Sequence, residues 1–476
     1  RWRAYAMASA LGLLSLLGLL LRSSSPVAAA NLLDDSRRCD IESYISAGNA
    51  PAVLELDLKD CKLRTLPASI DQFASLKKLD LGRNELSDLP ALPPTLEILF
   101  LLSNNFESIP ASITRLQHLR MLSFKSNRLT SISAPLPTSI EWLILTDNQL
   151  ADLPIQIEEL VKMRKLMLAN NRLEAVPQAV RAMRSLELLR LANNKIDRIP
   201  HWLVHGLPVL SWLALAGNPA LQLPLPRSTL ETVNMSSFDL LETLGEGTSG
   251  VVHKAVRSGS HGSAPVALKL YKSTLSSDGR NVDELAAAAA LDHPHIVKLY
   301  GWFSSPTLGA ALEWVPKMHS LGKPPSLESV TRDTYPTGAS FSASFIVNAA
   351  CGIAAAAAHL HSRNIMHGDL YAHNILVESS TGHTKLGDFG AAFYYGNDAS
   401  KHPIAPARAF EAMEARAYGL MLRELLERYD GNGATAMLAP VRDLAQSCTG
   451  PALKRPRFRE MARRLLRIAE PATCQL

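Results

Sequence analysis

The sequence predicts an α/β repeat solenoid followed by a bilobal α+β domain. Three observations point there: a leucine pattern that returns every 20–24 residues, its disappearance near Leu223, and a glycine-rich turn at Gly245–Gly250 joining two apolar runs. The length of 476 residues suits two or three domains. With 47% hydrophobic and 20% charged residues, the chain can build packed cores, and global disorder is excluded. The net charge of +5 is small and its basic residues are scattered, which argues against a nucleic-acid surface.

The repeat follows the template L-x-x-L-x-L-x-x-N-x-L. It fits Leu76, Leu79, Leu81, Asn84 and Leu86, then Leu96, Leu99, Leu101, Asn104 and Phe106. Further copies place Asn127, Asn148, Asn171, Asn194 and Asn218 at the asparagine position, and an earlier one, after Leu56 and Leu58, puts Cys61 there. These eight copies define a leucine-rich repeat domain. Each L-x-L pair is a short strand with its leucines inward, and the asparagine amide can bond the backbone of neighbouring turns. Pro90, Pro110, Pro154, Pro177 and Pro200 should stop regular helices on the convex side. A copy buries its apolar edge only by stacking on the next, which leaves an extended concave face suited to protein. The strand positions Glu97, Arg120, Glu141, Trp142, Lys165, Arg190 and Trp212 would line it.

Ahead of the repeats, Arg1 and Arg3 precede an apolar run from Ala8 to Leu21, then Arg22, serines and alanines. Residues 1–33 read as a signal-like or transit-like segment. The apolar run is shorter than the roughly 20 residues of a spanning helix. The five cysteines are odd in number and form no C-x-x-C, which argues against a disulfide framework and a zinc site, with Cys39–Cys61 the one pair left open. The domain boundaries follow: repeats over 34–222, a linker over 223–237, and a second domain over 238–470.

In that second domain, Gly245-Glu246-Gly247-Thr248-Ser249-Gly250-Val251-Val252 spells G-x-G-x-x-G-x-V. Glycines let the backbone close over phosphates, and the run continues as a strand where a Rossmann turn would open a helix. Val266-Ala267-Leu268-Lys269 ends an apolar strand with a lysine; an alanine-rich helix then opens at Glu284, with Asp283 beside it. His367-Gly368-Asp369 followed by Asn374 matches H-x-D-x-x-x-x-N, and Gly387-Asp388-Phe389-Gly390 follows. Five such motifs in order resemble the protein kinase superfamily from about Phe238 to Ile468, hence the expected bilobal α+β protein kinase fold.

The resemblance implies ATP and Mg²⁺ as cofactors, with Mn²⁺ the alternative cation. It implies that Asp369 accepts the substrate hydroxyl proton, that Lys269 pairs with the phosphates and with Glu284 (Asp283 being the alternative), and that Asn374 and Asp388 hold metal. It places Gly245, Gly247, Gly250, Val252, Ala267, Lys269, Glu313, Val315 and Leu376 around the nucleotide. Leu312-Glu313-Trp314-Val315 would be the hinge, with Leu312 guarding the back of the pocket. Glu414–Gly419 resembles the family's buried helix, and Arg455 would close onto Glu411.

The chain departs from the family at Gly368, where an arginine usually meets a phosphorylated activation loop, and at Tyr371, where Ser/Thr kinases place a lysine. Together with Ser326–Tyr335, the segment H-G-D-L-Y-A-H-N-I-L resembles a group of leucine-rich-repeat protein kinases with N-terminal repeats. That resemblance implies a Ser/Thr-directed protein kinase whose repeats recruit a protein substrate or partner on the concave face, with no nucleic acid. The alternative is a catalytically weak or inactive pseudokinase scaffold. A receptor with its repeats outside the cell would need a spanning helix between the domains, and 225–238 has none. The need for ATP places both domains in the cytoplasm; an organelle, or membrane association through the N-terminal apolar segment, is the alternative.

Overall fold

The computed structural model describes residues 39–46, 48, 50–221, 231–247, 249–259, 264–276, 278–396, 407–433, 435–470 and 473–474. The signal-like segment and most of the expected linker lie outside them. Two compact units emerge, one ending at Val209 and the other running from Leu210 to the C-terminus.

The first unit is the repeat stack. After α1 (Ile41–Ser46) come β1 (Glu55–Asp57), β2 (Lys78–Asp80), β3 (Ile98–Phe100), β4 (Met121–Ser123), β5 (Trp142–Ile144), β6 (Lys165–Met167) and β7 (Leu188–Arg190). Neighbours pair in parallel, with Leu56, Leu79, Leu99, Leu122, Leu143, Leu166 and Leu189 in one register row. Every leucine of that row is buried, because the pleat turns alternate residues inward. Pro110, Pro154 and Pro177 each precede a single 3₁₀ turn, as does Pro67, and Pro200 precedes the short helix α2 (His201–His205).

The asparagines form a ladder. Asn148 donates to the carbonyls of Phe124 at 2.9 Å and Leu145 at 3.1 Å, and accepts from the Leu129 N–H at 2.9 Å. Asn84, Asn104, Asn127, Asn171 and Asn194 repeat the arrangement. Buried turn groups that helix or sheet cannot satisfy are thereby paired. Cys61 plays a different part: it is disulfide-bonded to Cys39.

The concave positions are less open than the sequence suggested. Trp142 and Arg190 are buried, and the Lys165 ammonium sits 3.9 Å over the Trp142 ring. Arg120 pairs with Glu141 at 3.1 Å and Glu97 with Lys77 at 2.8 Å, so side chains of successive repeats engage one another.

The second unit begins with β8 (Trp212–Ala214). Its antiparallel sheet contains β9 (Phe238–Glu246), β10 (Gly250–Arg257), β11 (Val266–Tyr271), β12 (Leu299–Phe303) and β13 (Gly309–Glu313), ordered β12-β13-β11-β10-β9. Helix α3 (Asn281–Ala289) follows β11. The larger lobe is built on α4 (Ala343–Ser362), capped by the Ser342 hydroxyl accepting from the Phe345 N–H at 3.2 Å. Long and apolar enough to span a membrane, α4 is instead 83% buried as the core helix of this lobe. Around it stand α5 (Ala407–Leu426), α6 (Ala439–Thr449) and α7 (Phe458–Leu466). Helix α7 buries Phe458, Met461, Ala462 and Leu465, a 3–4-residue spacing that makes one apolar face. Short strands β14 (Met318–Ser320), β15 (Ile365–Met366), β16 (Ile375–Glu378), β17 (Thr384–Leu386) and β18 (Phe393–Tyr394) frame the loops between them.

Two expectations need correction here. An odd cysteine count does not exclude disulfides: Cys351 on α4 joins Cys474, 123 residues away, and buried Cys448 is the thiol left over. Nor does Arg455 close onto Glu411. Arg455 donates to the carbonyls of Ala412 and Gly450, while Glu411 lies beside Arg408 and accepts from the Phe458 N–H at 2.9 Å.

Candidate active site

The glycine run is the turn of a hairpin. Gly245 pairs with Val252 across β9 and β10, and the Gly247 N–H donates to the Gly250 carbonyl at 2.9 Å. A Cβ on Gly250 would lie 2.3 Å from the Leu270 carbonyl, so only glycine lets β10 approach β11 there. At Gly247 a Cβ would meet nothing within 4 Å, which leaves its surface open.

Ala267 and Lys269 project from β11, where Ala267 registers with Leu312 of β13. The Lys269 ammonium donates to Glu284 of α3 at 2.6 Å, both side chains being about nine-tenths buried. Asp283 turns instead to Arg280, at 2.7 Å. Burial alone would lower the Lys269 pKa, but the charges of Glu284 and Asp388 outweigh it and raise it. Burial, aided by Asp388, lifts Glu284 against the pull of Lys269. A cavity beside this pair is lined by Tyr271, Glu284, Leu312, Asp388 and Phe389 among others.

At the end of β13, the Glu313 carboxylate accepts from Lys385 of β17 at 2.9 Å. Its side chain thus ties the sheet to the larger lobe. Val315 follows, half-buried, and Leu376 lies on β16, also half-buried.

The catalytic loop is held from below. Glu414 of α5 is fully buried and accepts from the backbone N–H groups of His367 and Gly368, at 3.3 and 2.8 Å. Burial pushes its carboxyl up, and the hydrogen bonds and charge of His361 and His367 more than offset this, so its pKa is lowered. Gly368 has φ +75°, and a Cβ there would lie 2.4 Å from the Leu213 carbonyl. An arginine at that position would meet both strain and clash.

Asn374 donates through its amide to the Asp369 carboxylate at 3.0 Å and to the Asp369 carbonyl at 2.9 Å. Its own carbonyl accepts from the Gly387 N–H at 3.0 Å, and His367 joins Gly387 at 3.0 Å, so the segment of Asp388 is stitched to the same loop. Asp388 has a left-handed backbone, φ 53°, and an exposed side chain, while Phe389 beside it is buried near His367. Asp369 and Asn374 are thus joined on one loop, Asn374 holds Gly387 next to Asp388, and the charge of Asp388 reaches Lys269. The carboxylate oxygens of Asp369 and Asp388 and the amide oxygen of Asn374 are of the type that suits Mg²⁺.

Tyr371 does not stand in for the missing lysine. It is buried, stacked on Trp212 with centroids 4.3 Å apart and on His373 at 5.0 Å. The Trp212 N–H donates to the Leu370 carbonyl at 3.1 Å, so Trp212 is buried rather than presented to a partner. Sequence reasoning also missed Asp333, whose carboxylate accepts from both the backbone and the ring of His373 at 2.9 and 2.7 Å.

A glycine hairpin, a buried lysine–glutamate pair, an aspartate–asparagine loop and a second aspartate together make a set of groups suited to hold the phosphates of a nucleotide. Comparison with known proteins narrows this. Residues 238–416 match the family model of the protein kinase domain and 161–219 that of the leucine-rich repeat. The chain carries a protein kinase domain with leucine-rich repeats N-terminal to it. Human receptor tyrosine-protein kinase erbB-4 is 29% identical over 229 residues, 43% of this chain and 17% of that protein. A probable serine/threonine-protein kinase of Dictyostelium discoideum is 27% identical over 221 residues, 40% of this chain and 12% of that protein. The Saccharomyces cerevisiae cAMP-dependent protein kinase type 3 is 29% identical over 188 residues, 38% and 43% of the two chains. The chain thus matches less than half the length of each relative.

Proposed function

We propose that this chain is an active protein kinase that transfers the ATP γ-phosphate to a serine or threonine hydroxyl, its repeats recruiting a protein substrate or partner. The observation that carries the reading is the contact of Asn374 with the Asp369 carboxylate, together with the buried Lys269–Glu284 pair. Asp369 orients the acceptor hydroxyl and takes its proton as the oxygen bonds to the γ-phosphorus. The bond from that phosphorus to the β–γ bridging oxygen breaks, and ADP leaves. Lys269, fixed by Glu284, holds the α- and β-phosphates in line for this displacement. Asn374 and Asp388 would hold Mg²⁺, which supplies charge neutralisation at the phosphates when bound. Serine or threonine as acceptor rests on general prevalence among protein kinases.

The test is phosphate transfer from Mg-ATP to a generic protein, with phosphoamino-acid analysis of the product. Asp369→Asn should lower kcat about 10²–10⁴-fold, and Lys269→Met should be comparably impaired. Background transfer from the native chain and both variants alike supports the second reading, a nucleotide-binding scaffold. Tyr371 favours that reading: its ring is engaged in a stack, and the positive charge lost there is worth ~2–4 kcal/mol of transition-state stabilisation if nothing replaces it.

The cytoplasm remains our proposed location because the reaction needs ATP. Two disulfides weigh toward an oxidising compartment. Counting free thiols on protein from its native source decides the matter: five in a reducing compartment, one in an oxidising one.

A further inference from the structure

Resting on the kinase reading, we propose that Asp333 is a positioning residue for catalysis: it fixes the catalytic loop through His373 and so aligns Asn374 and Asp369. Asp333 lies outside the glycine-turn, Lys269, H-x-D-x-x-x-x-N and Asp388 motifs, within the Ser326–Tyr335 segment. Its side chain is 1% exposed, and its two oxygens take different groups of one residue: Oδ2 the His373 backbone N–H, Oδ1 the His373 ring nitrogen. Two contacts to one residue fix both the backbone position and the ring direction of His373. The next residue is Asn374, whose amide holds Asp369. A shift at His373 therefore moves a metal-binding amide and the proton acceptor together.

The segment delivering Asp333 is itself built to be stiff. Lys323 and Thr334 exchange backbone hydrogen bonds of 2.7 and 2.9 Å. The Ser326 hydroxyl accepts from the N–H groups of Glu328 and Ser329, and the Ser329 hydroxyl donates to the Arg332 carbonyl at 2.6 Å. Val330 is held at φ 59°, a region that a β-branched residue enters only when its surroundings impose it. The same stretch touches the loop elsewhere: Leu321 N–H donates to the Ile375 carbonyl at 2.9 Å, and the Ser320 hydroxyl donates to that of His373 at 3.2 Å. On the far side, Tyr371 stacks on the His373 ring.

This arrangement offers an answer to the absence of an arginine at Gly368. In the expected family scheme that arginine orders the site by meeting a phosphate added to the activation segment. Here the charged anchor is internal and needs no modification, so the loop is set as soon as the chain folds.

The experiment compares the full chain with Asp333→Ala, the near-isosteric Asp333→Asn and His373→Gln. Binding of a fluorescent ATP analogue is titrated with and without Mg²⁺, and kcat and KM for ATP are measured beside it. The expected result for Asp333→Ala is a Mg²⁺ requirement raised about tenfold or more with metal-free nucleotide binding unchanged. A kcat lowered about 10–100-fold at nearly constant KM should accompany it. Asp333→Asn, which keeps an acceptor for the backbone N–H, should recover part of both. An unchanged Mg²⁺ requirement in all three variants overturns the proposal. So does equal loss of metal-free and Mg²⁺-dependent binding in step with a lowered melting temperature, the signature of a merely structural role. The titration needs no turnover, so a native chain that binds Mg-nucleotide without transferring phosphate defeats the kinase reading while leaving Asp333 to be decided by its own curve.

Discussion

The repeat stack and the kinase unit solve the same problem, pairing buried polar groups, in opposite ways. In the repeats one device recurs: an asparagine amide closes the turn of its own copy and reaches the copy before it, from Asn84 to Asn194. In the kinase unit each device occurs once and joins distant segments. Glu414 supports the loop of His367 and Gly368 from 46–47 residues away, and Asp333 reaches 40 residues to His373. Periodic contacts make a structure whose parts fail locally, whereas contacts between distant segments make one whose parts fail together.

The sharpest way to break this comparison is to cut the longest tie. Cys351→Ser removes the link from α4 to Cys474, across 123 residues. A cross-link over that separation restricts the unfolded chain strongly, so the loss should be about 2–4 kcal/mol. Thermal unfolding of the kinase unit should move down as one transition while that of the repeats stays in place. Two separate transitions within the kinase unit would show that its larger lobe is not a single cooperative body.

A smaller and more local effect is expected from one rung of the ladder. Asn148→Ala strips the Leu129 N–H of its partner inside the stack and leaves the Phe124 carbonyl with the Asn127 amide alone. Unpaired buried groups of this kind cost about 1–3 kcal/mol in all. Hydrogen exchange should rise in the copies adjoining residue 148 and remain slow near Asn84. Uniform acceleration along the stack would mean that the repeats, too, fail together.

This difference also explains what could be read without a structure. The stack was legible because its rule is written eight times, so a substitution at one copy, such as Cys61, hardly hides it. Within the kinase unit, His367 to Asn374 and Gly387 to Gly390 were legible because the chemistry demands those side chains at short, fixed spacing. Asp333, Trp212 and the Cys351–Cys474 pair were not. Each acts on a partner far along the chain, and nothing local distinguishes a buried anchoring aspartate from a solvated one. Counting cysteines failed for the same reason, since pairing depends on which segments meet. The concave tryptophans misled because strand position sets the direction of a side chain but not what covers it: Lys165 covers Trp142, and Tyr371 covers Trp212.

A third test uses pH. Glu424 on α5 is largely buried, and burial first, then the charge of Asp333, push its carboxyl up to about 8. Tyr335 donates to it at 3.1 Å, and Arg332 and Arg428 pull the other way without prevailing. The folded chain therefore keeps this proton up to about pH 8, while the unfolded chain releases it near 4.5. The stability this proton lends is complete below pH 4.5 and drains away as pH rises toward 8, by up to about 1.4 kcal/mol per pH unit. Glu424→Gln keeps the neutral shape and cannot lose a proton. Its melting temperature should gain on the native chain steadily from pH 5 to pH 8 and hold that lead above. The Asn148→Ala deficit, which involves no titrating group, should stay constant over the same range. Parallel curves for the native chain and Glu424→Gln would mean that the carboxylate is ionised in the folded state, with Arg332 and Arg428 compensating its burial in full.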